Sequence, residues 1–224
     1  MSNGTQLLND DGSASMATLL MMSHHAFRRD IARFGRALET LSEADAFRLE
    51  PLQAEWQSYR DTLHGHHFME DTRIFPHLKG QQPALAPIIE QLAADHRRID
   101  PLLERGDRAF AGLPETRTPA AVVAELATLL DSRLAAEEAS VIPSLRGANE
   151  FPPPASDAEA ELYAQGFAWS THGIAPEVLQ QVYALLPVSL SSRLPAAIAA
   201  FNARCEWVWG SCRARAARTS IPDR

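Results

Sequence analysis

Between His66 and Pro76 the chain reads His-His-Phe-Met-Glu-Asp-Thr-Arg-Ile-Phe-Pro, so two imidazoles are each followed four residues later by a carboxylate, His66 by Glu70 and His67 by Asp71. On a helix, residues four apart lie on one face, one turn above the other. An imidazole nitrogen and a carboxylate oxygen presented that way can grip one metal ion with little rearrangement. A second stretch ends alike, Glu137-Glu138-Ala139-Ser140-Val141-Ile142-Pro143 against Glu70-Asp71-Thr72-Arg73-Ile74-Phe75-Pro76. Ten residues before the proline stands His66 in the first copy and Arg133 in the second.

The elements that must carry these residues follow from apolar periodicity. Leu20, His24, Phe27, Ile31, Phe34 and Leu38 recur at helical spacing over 17–41, which predicts helix A. Helix B is expected from Pro51 to about Phe75, with Pro76 as its stop. Helix C is expected over 84–110, kinked at Pro101, and helix D over 120–142. Laying His24 on His96 matches Leu20 with Leu92, Phe27 with Ile99, Ile31 with Leu103 and Leu38 with Phe110. Using His25 instead would put Arg28 on Ile99, so the register selects His24. The chain therefore reads as two related helical hairpins, an all-α, antiparallel up-down four-helix bundle. A pseudo-twofold axis would bring His24, His66, Glu70, His96, Arg133 and Glu137 toward one layer. The expected organisation is a flexible N-terminal tail over 1–15, the bundle over 16–147, a proline-rich linker over 148–156 and a helical C-terminal extension over 157–218.

With a His on helix A (His24), His-x-x-x-Glu on helix B (His66, Glu70) and a His on helix C (His96), the chain resembles the hemerythrin-like family, or HHE cation-binding domain. Arg28-Arg29-Asp30 after the first His and the Phe-Pro and Ile-Pro endings of helices B and D are similar to bacterial members. The resemblance covers about 16–145. It implies a non-haem di-iron centre, with His24 and His66 on the first iron, Glu70 and Glu137 as bridges, and His96 on the second. The family asks for a His where Arg133 stands, and a guanidinium has no lone pair with which to bind a metal. Three outcomes are open: a di-iron centre with one under-liganded iron, a single metal at His24 and His66 with Arg133 paired to Glu137, or a degenerate site. Arg133 beside an open metal position is also a candidate stabiliser of a bound anion such as superoxide, peroxide or nitrite.

Other residues near the stripe have plainer readings. His67 with Asp71 is the alternative pair if the register is off by one. Asp71 and Glu138 are additional candidate metal ligands, expected rather to orient the ligands or cap the polar face, and His172 is an additional candidate to replace the missing helix D imidazole. Met21, Met22, Met69, Phe27, Phe68 and Phe75 are expected to form an apolar shell that limits water. Trp169, Trp207 and Trp209 would cover the bundle or form a homodimer surface. Cys205 and Cys212, about 10 Å apart along one helix, cannot bridge each other.

The bulk numbers bound the function. A net charge of −7 over 224 residues argues against a nucleic-acid or acidic-membrane partner. No apolar run reaches the roughly 20 residues of a membrane span, and Met1 to Ser15 lacks a signal peptide's charge pattern, so a cytoplasmic location is expected. With 46% hydrophobic residues the chain can build a sizeable core. The expectation is an iron protein, zinc being the other candidate metal, that binds, senses or reductively removes oxygen, nitric oxide or peroxide. If an enzyme, it would be peroxidase- or catalase-like or NO-reducing. The rival is a structural or regulatory interaction protein with a zinc-only or degenerate site.

Overall fold

The computed structural model describes residues 7–149, 151 and 153–210, and within them the protein is all-helical, with no strand. Helix α1 (Met16–Thr40) opens on Ser15, whose N–H donates to Thr18 Oγ1 at 3.0 Å in a capping box. Residues 7–15, within the stretch expected to be a flexible tail, are held on the bundle. Thr18 Oγ1 donates to the Leu7 carbonyl at 2.8 Å, Asn9 Nδ2 to the Arg146 carbonyl at 3.1 Å, and Leu7 and Leu8 pack on apolar clusters at the start of α1. Burying those side chains outweighs the polarity of Asn9 to Asp11. Residues 1–6 lie outside the described residues.

Helix B does not stop at Pro76. Helix α2 (Leu49–Met69) passes into a wide turn over Glu70–Ile74, in which the Phe75 N–H donates to the Glu70 carbonyl five residues back, and continues as α3 (Phe75–Gln81). Pro76 sits in the first turn of α3, where its missing N–H costs little. The π-type turn sets Phe75, rather than Ile74, one turn above Glu70, and Phe75 is buried. Helix α4 (Ala86–Ala111) continues through Pro101. Helix α5 (Arg117–Ser140) starts three residues earlier than the pattern suggested, taking Pro119 into its first turn, and is followed by the short α6 (Ile142–Leu145).

In the bundle α5 packs between α1 and α4, and α2 packs on α4, while α1 and α2 meet less closely. Phe27, Phe34, Trp56, Leu63, Ile99, Phe110 and Leu126 fill the interior. Each of these side chains contributes roughly 1.5–3 kcal/mol by leaving water. Trp56 stacks on Phe110 at 4.5 Å and donates its Nε1–H to Asp107 at 2.9 Å. A Cβ on Gly106 would lie 2.0 Å from the Trp56 ring, so only glycine lets the indole reach this position.

The C-terminal extension is part of the same fold. Helices α7 (Asp157–Thr171), α8 (Pro176–Leu185), α9 (Val188–Ser191) and α10 (Leu194–Trp209) follow, with α7 on α1 and α10 against both α7 and α2. Trp169 lies 4.8 Å from the Phe27 ring and donates Nε1–H to Asp30 Oδ2 at 2.8 Å. Asp30, only 1% exposed, also accepts from Arg29 and Arg33. Arg29 Nη1 reaches on to the carbonyls of Trp169 and His172 at 3.1 and 2.7 Å. Trp209 meets Phe34 at 5.0 Å, whereas Trp207 is 53% exposed. Trp169 and Trp209 thus seal the α1–α2 seam. Cys205 is buried, and Cys212 falls outside the described residues, as does the predicted end of α10 beyond Trp209. Among the described residues no helix is long and apolar enough to cross a membrane.

Candidate metal centre

Four helices each send a side chain to one level of the bundle. His24 comes from α1, His66 and Glu70 from α2 and the turn after it, His96 from α4, and Arg133 and Glu137 from α5. His24 and Glu137 are 0% exposed, Glu70 likewise, and Arg133 is 1% exposed. Groups of this polarity are buried only when paired or when they hold an ion.

One ligand atom each from His24, His66, Glu70 and Glu137 lies within 4.8 Å of all the others. His66 Nε2 stands 2.9 Å from Glu70 Oε1, and His24 Nε2 stands 3.5 Å from Glu137 Oε2. Yet His24 Nε2, His66 Nε2, Glu70 Oε1 and both Glu137 oxygens make no hydrogen bond. Lone pairs and unmatched carboxylate oxygens that converge away from water are what a cation would satisfy. The residues present therefore fit a bound metal ion.

The remaining ring nitrogen of His24 is held from outside. Its Nδ1 lies 3.0 Å from Glu138 Oε1, and Arg28 Nη1 donates to the same oxygen at 2.6 Å while Arg28 Nε reaches Asp131 at 2.8 Å. Burial pushes His24 down to about 4, against the opposing pull of Glu138, so the ring is neutral near pH 7. With its proton on Nδ1 facing Glu138, Nε2 carries the lone pair toward Glu137. Burial would raise Glu70, but His66 and Arg133 outweigh it and hold the carboxyl well below its ordinary value. Glu137 moves the other way, raised by burial and then by the Glu70 charge beside it. A Phe27 ring 5.1 Å from His66 and a Trp169 ring behind it close the α1–α2 side.

His96, expected on a second metal, is engaged otherwise. Its Nδ1 meets Asp71 Oδ2 at 2.9 Å, and its Nε2 lies 2.6 Å from Arg133 Nη2. Arg133 Nη2 also donates to Glu70 Oε2, and Nη1 forms an ion pair with Glu137 Oε2 at 3.0 Å. Asp71 thus holds the His96 ring and Glu138 the His24 ring, and neither carboxylate belongs to the cluster. His67 stacks flat on His96 at 3.9 Å, buried, with both ring nitrogens without hydrogen bonds. Burial, followed by the neighbouring His96 and Arg133, lowers its basicity. His172 does not substitute for the missing imidazole: its Nε2 is 2.9 Å from Arg33 Nη2, and its ring faces Phe201 at 5.5 Å in the extension. Phe68, expected in the apolar shell, is 64% exposed and points out.

Arg28 was the residue that the motif pattern left without a task. Its position four residues after His24, on the same helical face, is the signal that would have pointed to it.

An all-helical bundle that converges two imidazoles and two carboxylates on one buried point defines a metal-binding helical protein. The family model of the hemerythrin HHE cation binding domain matches residues 15–145, and the chain belongs to that family. No match was found among curated proteins or among solved structures.

Proposed function

We infer that the protein holds non-haem iron at His24, His66, Glu70 and Glu137 and there binds, senses or reduces a small diatomic molecule or peroxide. The observation that carries this reading is the convergence of buried ligand atoms that lack hydrogen-bond partners. Imidazole with carboxylate, and no thiolate, is a donor set suited to iron among the borderline metals. Bound iron would supply one-electron redox chemistry and a coordination position open to a small ligand.

The chain's own residues set the conditions for that chemistry. Glu138 fixes the His24 tautomer from behind, so Nε2 faces inward without a search over ring orientations. Phe27 and Trp169 keep bulk water from the imidazole side. With His66 and Glu70 side chains 9% and 0% exposed, the interior admits a molecule of two or three heavy atoms more readily than an organic substrate. Two surface clefts, one between α2 and α10 near Arg204 and Trp207 and one near Gln53 and Asp107, do not border the centre.

The test is metal analysis of protein purified without chelators, followed by visible spectroscopy during addition of oxygen, nitric oxide or peroxide. Iron in the purified protein, with absorption bands that change on adding one of these ligands, is the expected result. A protein that stays colourless after ferrous reconstitution, or that takes up zinc alone, overturns the redox reading.

A further inference from the structure

We propose that the Arg133 guanidinium permanently occupies the counterpart of the His24–His66 metal position, so that each chain binds one metal ion and His96 is not a ligand. This deepens the reading above and rests on it. The duplication in the sequence supplies the comparison. What His24, His66 and Glu70 are to one half of the bundle, His96, residue 133 and Glu137 are to the other. In the first half His24 Nε2, His66 Nε2 and Glu70 Oε1 lack hydrogen-bond partners. In the second half the cationic side chain is planted among the inward atoms.

Three contacts establish that occupancy. Arg133 Nη2 donates to Glu70 Oε2 and to His96 Nε2, the latter at 2.6 Å, and Nη1 pairs with Glu137 Oε2 at 3.0 Å. These are the inward-facing atoms that a second ion would need. A guanidinium only donates, so His96 Nε2 must be the acceptor and its lone pair is spent on Arg133. The ring proton then sits on Nδ1, facing Asp71 Oδ2 at 2.9 Å, and Asp71 stabilises that tautomer. His96 is thereby locked as an arginine acceptor by contacts on both of its nitrogens.

Charge points the same way. Glu70 and Glu137 bring two carboxyl groups into a buried site, and Arg133 supplies a fixed positive charge between them. A second divalent ion would have to displace a guanidinium that is 1% exposed, stripping it of two carboxylates and leaving it unpaired inside the protein. Glu70 meanwhile divides its labour: Oε2 serves Arg133, and Oε1, which lacks a hydrogen bond, faces His66 at 2.9 Å. One carboxylate would thus serve the guanidinium through one oxygen and a metal ion through the other.

The experiment is anaerobic reconstitution with ferrous iron, and separately with cobalt(II), followed by gel filtration and metal analysis per folded chain. Wild type is expected to bind one equivalent. Arg133→His should bind two, because it returns a lone pair and frees that of His96, and adding His96→Gln to it should restore one. In the wild-type background His96→Gln should leave both the stoichiometry and the cobalt(II) visible spectrum unchanged, whereas His24→Ala should abolish binding. The His96→Gln arm does not depend on whether Arg133→His folds. Two equivalents in wild type, or a His96→Gln protein with an altered cobalt spectrum or lost metal, overturns this inference while leaving metal binding intact. No metal in any folded protein overturns the parent reading, and this one with it.

Discussion

Replacing Glu138 by alanine removes none of the four converging side chains, yet it should weaken metal binding by about 10- to 100-fold. The carboxylate accepts from His24 Nδ1 at 3.0 Å with a side chain only 14% exposed, and His24 itself is fully buried. A hydrogen bond to a charged group in such a setting is worth roughly 1.5–3 kcal/mol. At 1.4 kcal/mol per tenfold, that is about one to two orders of magnitude in affinity. The physical route is tautomer choice: without Glu138 the His24 proton can sit on Nε2, where it blocks the lone pair that faces Glu137. Glu138→Gln keeps an acceptor oxygen and should stay within about tenfold of wild type. Asp131→Ala removes the other partner of Arg28 without touching His24, so it should leave affinity alone. Competition titrations against a chromophoric chelator measure all three, with circular dichroism as the control for folding. Folded Glu138→Ala with wild-type affinity would refute the reasoning, because then the outer carboxylate does not decide which nitrogen faces the centre.

Metal removal should lower the melting temperature, since buried ligand atoms are left without partners; at a free metal concentration of about 100 times Kd the holo form gains roughly 2.7 kcal/mol, or roughly 5–10 °C by calorimetry. Gly106→Ala should destabilise the bundle by about 1–3 kcal/mol, because the new methyl overlaps the Trp56 ring and endangers its bond to Asp107; urea titration followed by tryptophan fluorescence reads this out. Asp30→Ala strips Arg29, Arg33 and Trp169 of a shared buried acceptor and should cost roughly 3–5 kcal/mol, with faster proteolytic cleavage in α7 to α10 than in α4 or α5. Cleavage at equal rates throughout would mean that the extension is not held through Asp30.

Much of the centre was legible because helical spacing alone determines which residues share a face. The matched endings at Pro76 and Pro143 locate Glu70 and Glu137, and the alignment of α1 with α4 chooses His24 over His25. The partnership of Arg133 with His96 was not legible. The pattern shows that an imidazole is missing at position 133, but not that the replacement side chain reaches back to occupy the lone pair of another helix's histidine. The stop assigned to Pro76 failed for a different reason. Proline forbids one backbone bond, and the wide turn at Glu70–Ile74 accommodates that loss by shifting the bonding by one residue. Leu7 and Leu8, surrounded in sequence by polar residues, give no periodic signal, and their partial burial depends on where α6 and α8 happen to lie. The seal made by Trp169 likewise depends on a docking between segments more than a hundred residues apart, which local patterning cannot encode.

The wide turn after α2 also bears on which lengths of chain this region tolerates. His66 and Glu70 lie before or at its start, whereas Phe75 and Leu78, both buried, lie beyond it, with Phe75 parallel to the His96 ring at 5.9 Å. Deleting Thr72 or Arg73 would convert the turn to regular helix with Phe75 still one turn above Glu70, four residues on instead of five, so everything downstream keeps its facing relative to the metal face. The imidazole–carboxylate pair and the buried faces of Phe75 and Leu78 would both survive such a deletion, whereas one made beyond the turn would swing the residues after it off the core. One inserted residue's worth of slack thus lets the chemistry-bearing half of this rod and its core-packing half change independently, each keeping its own register.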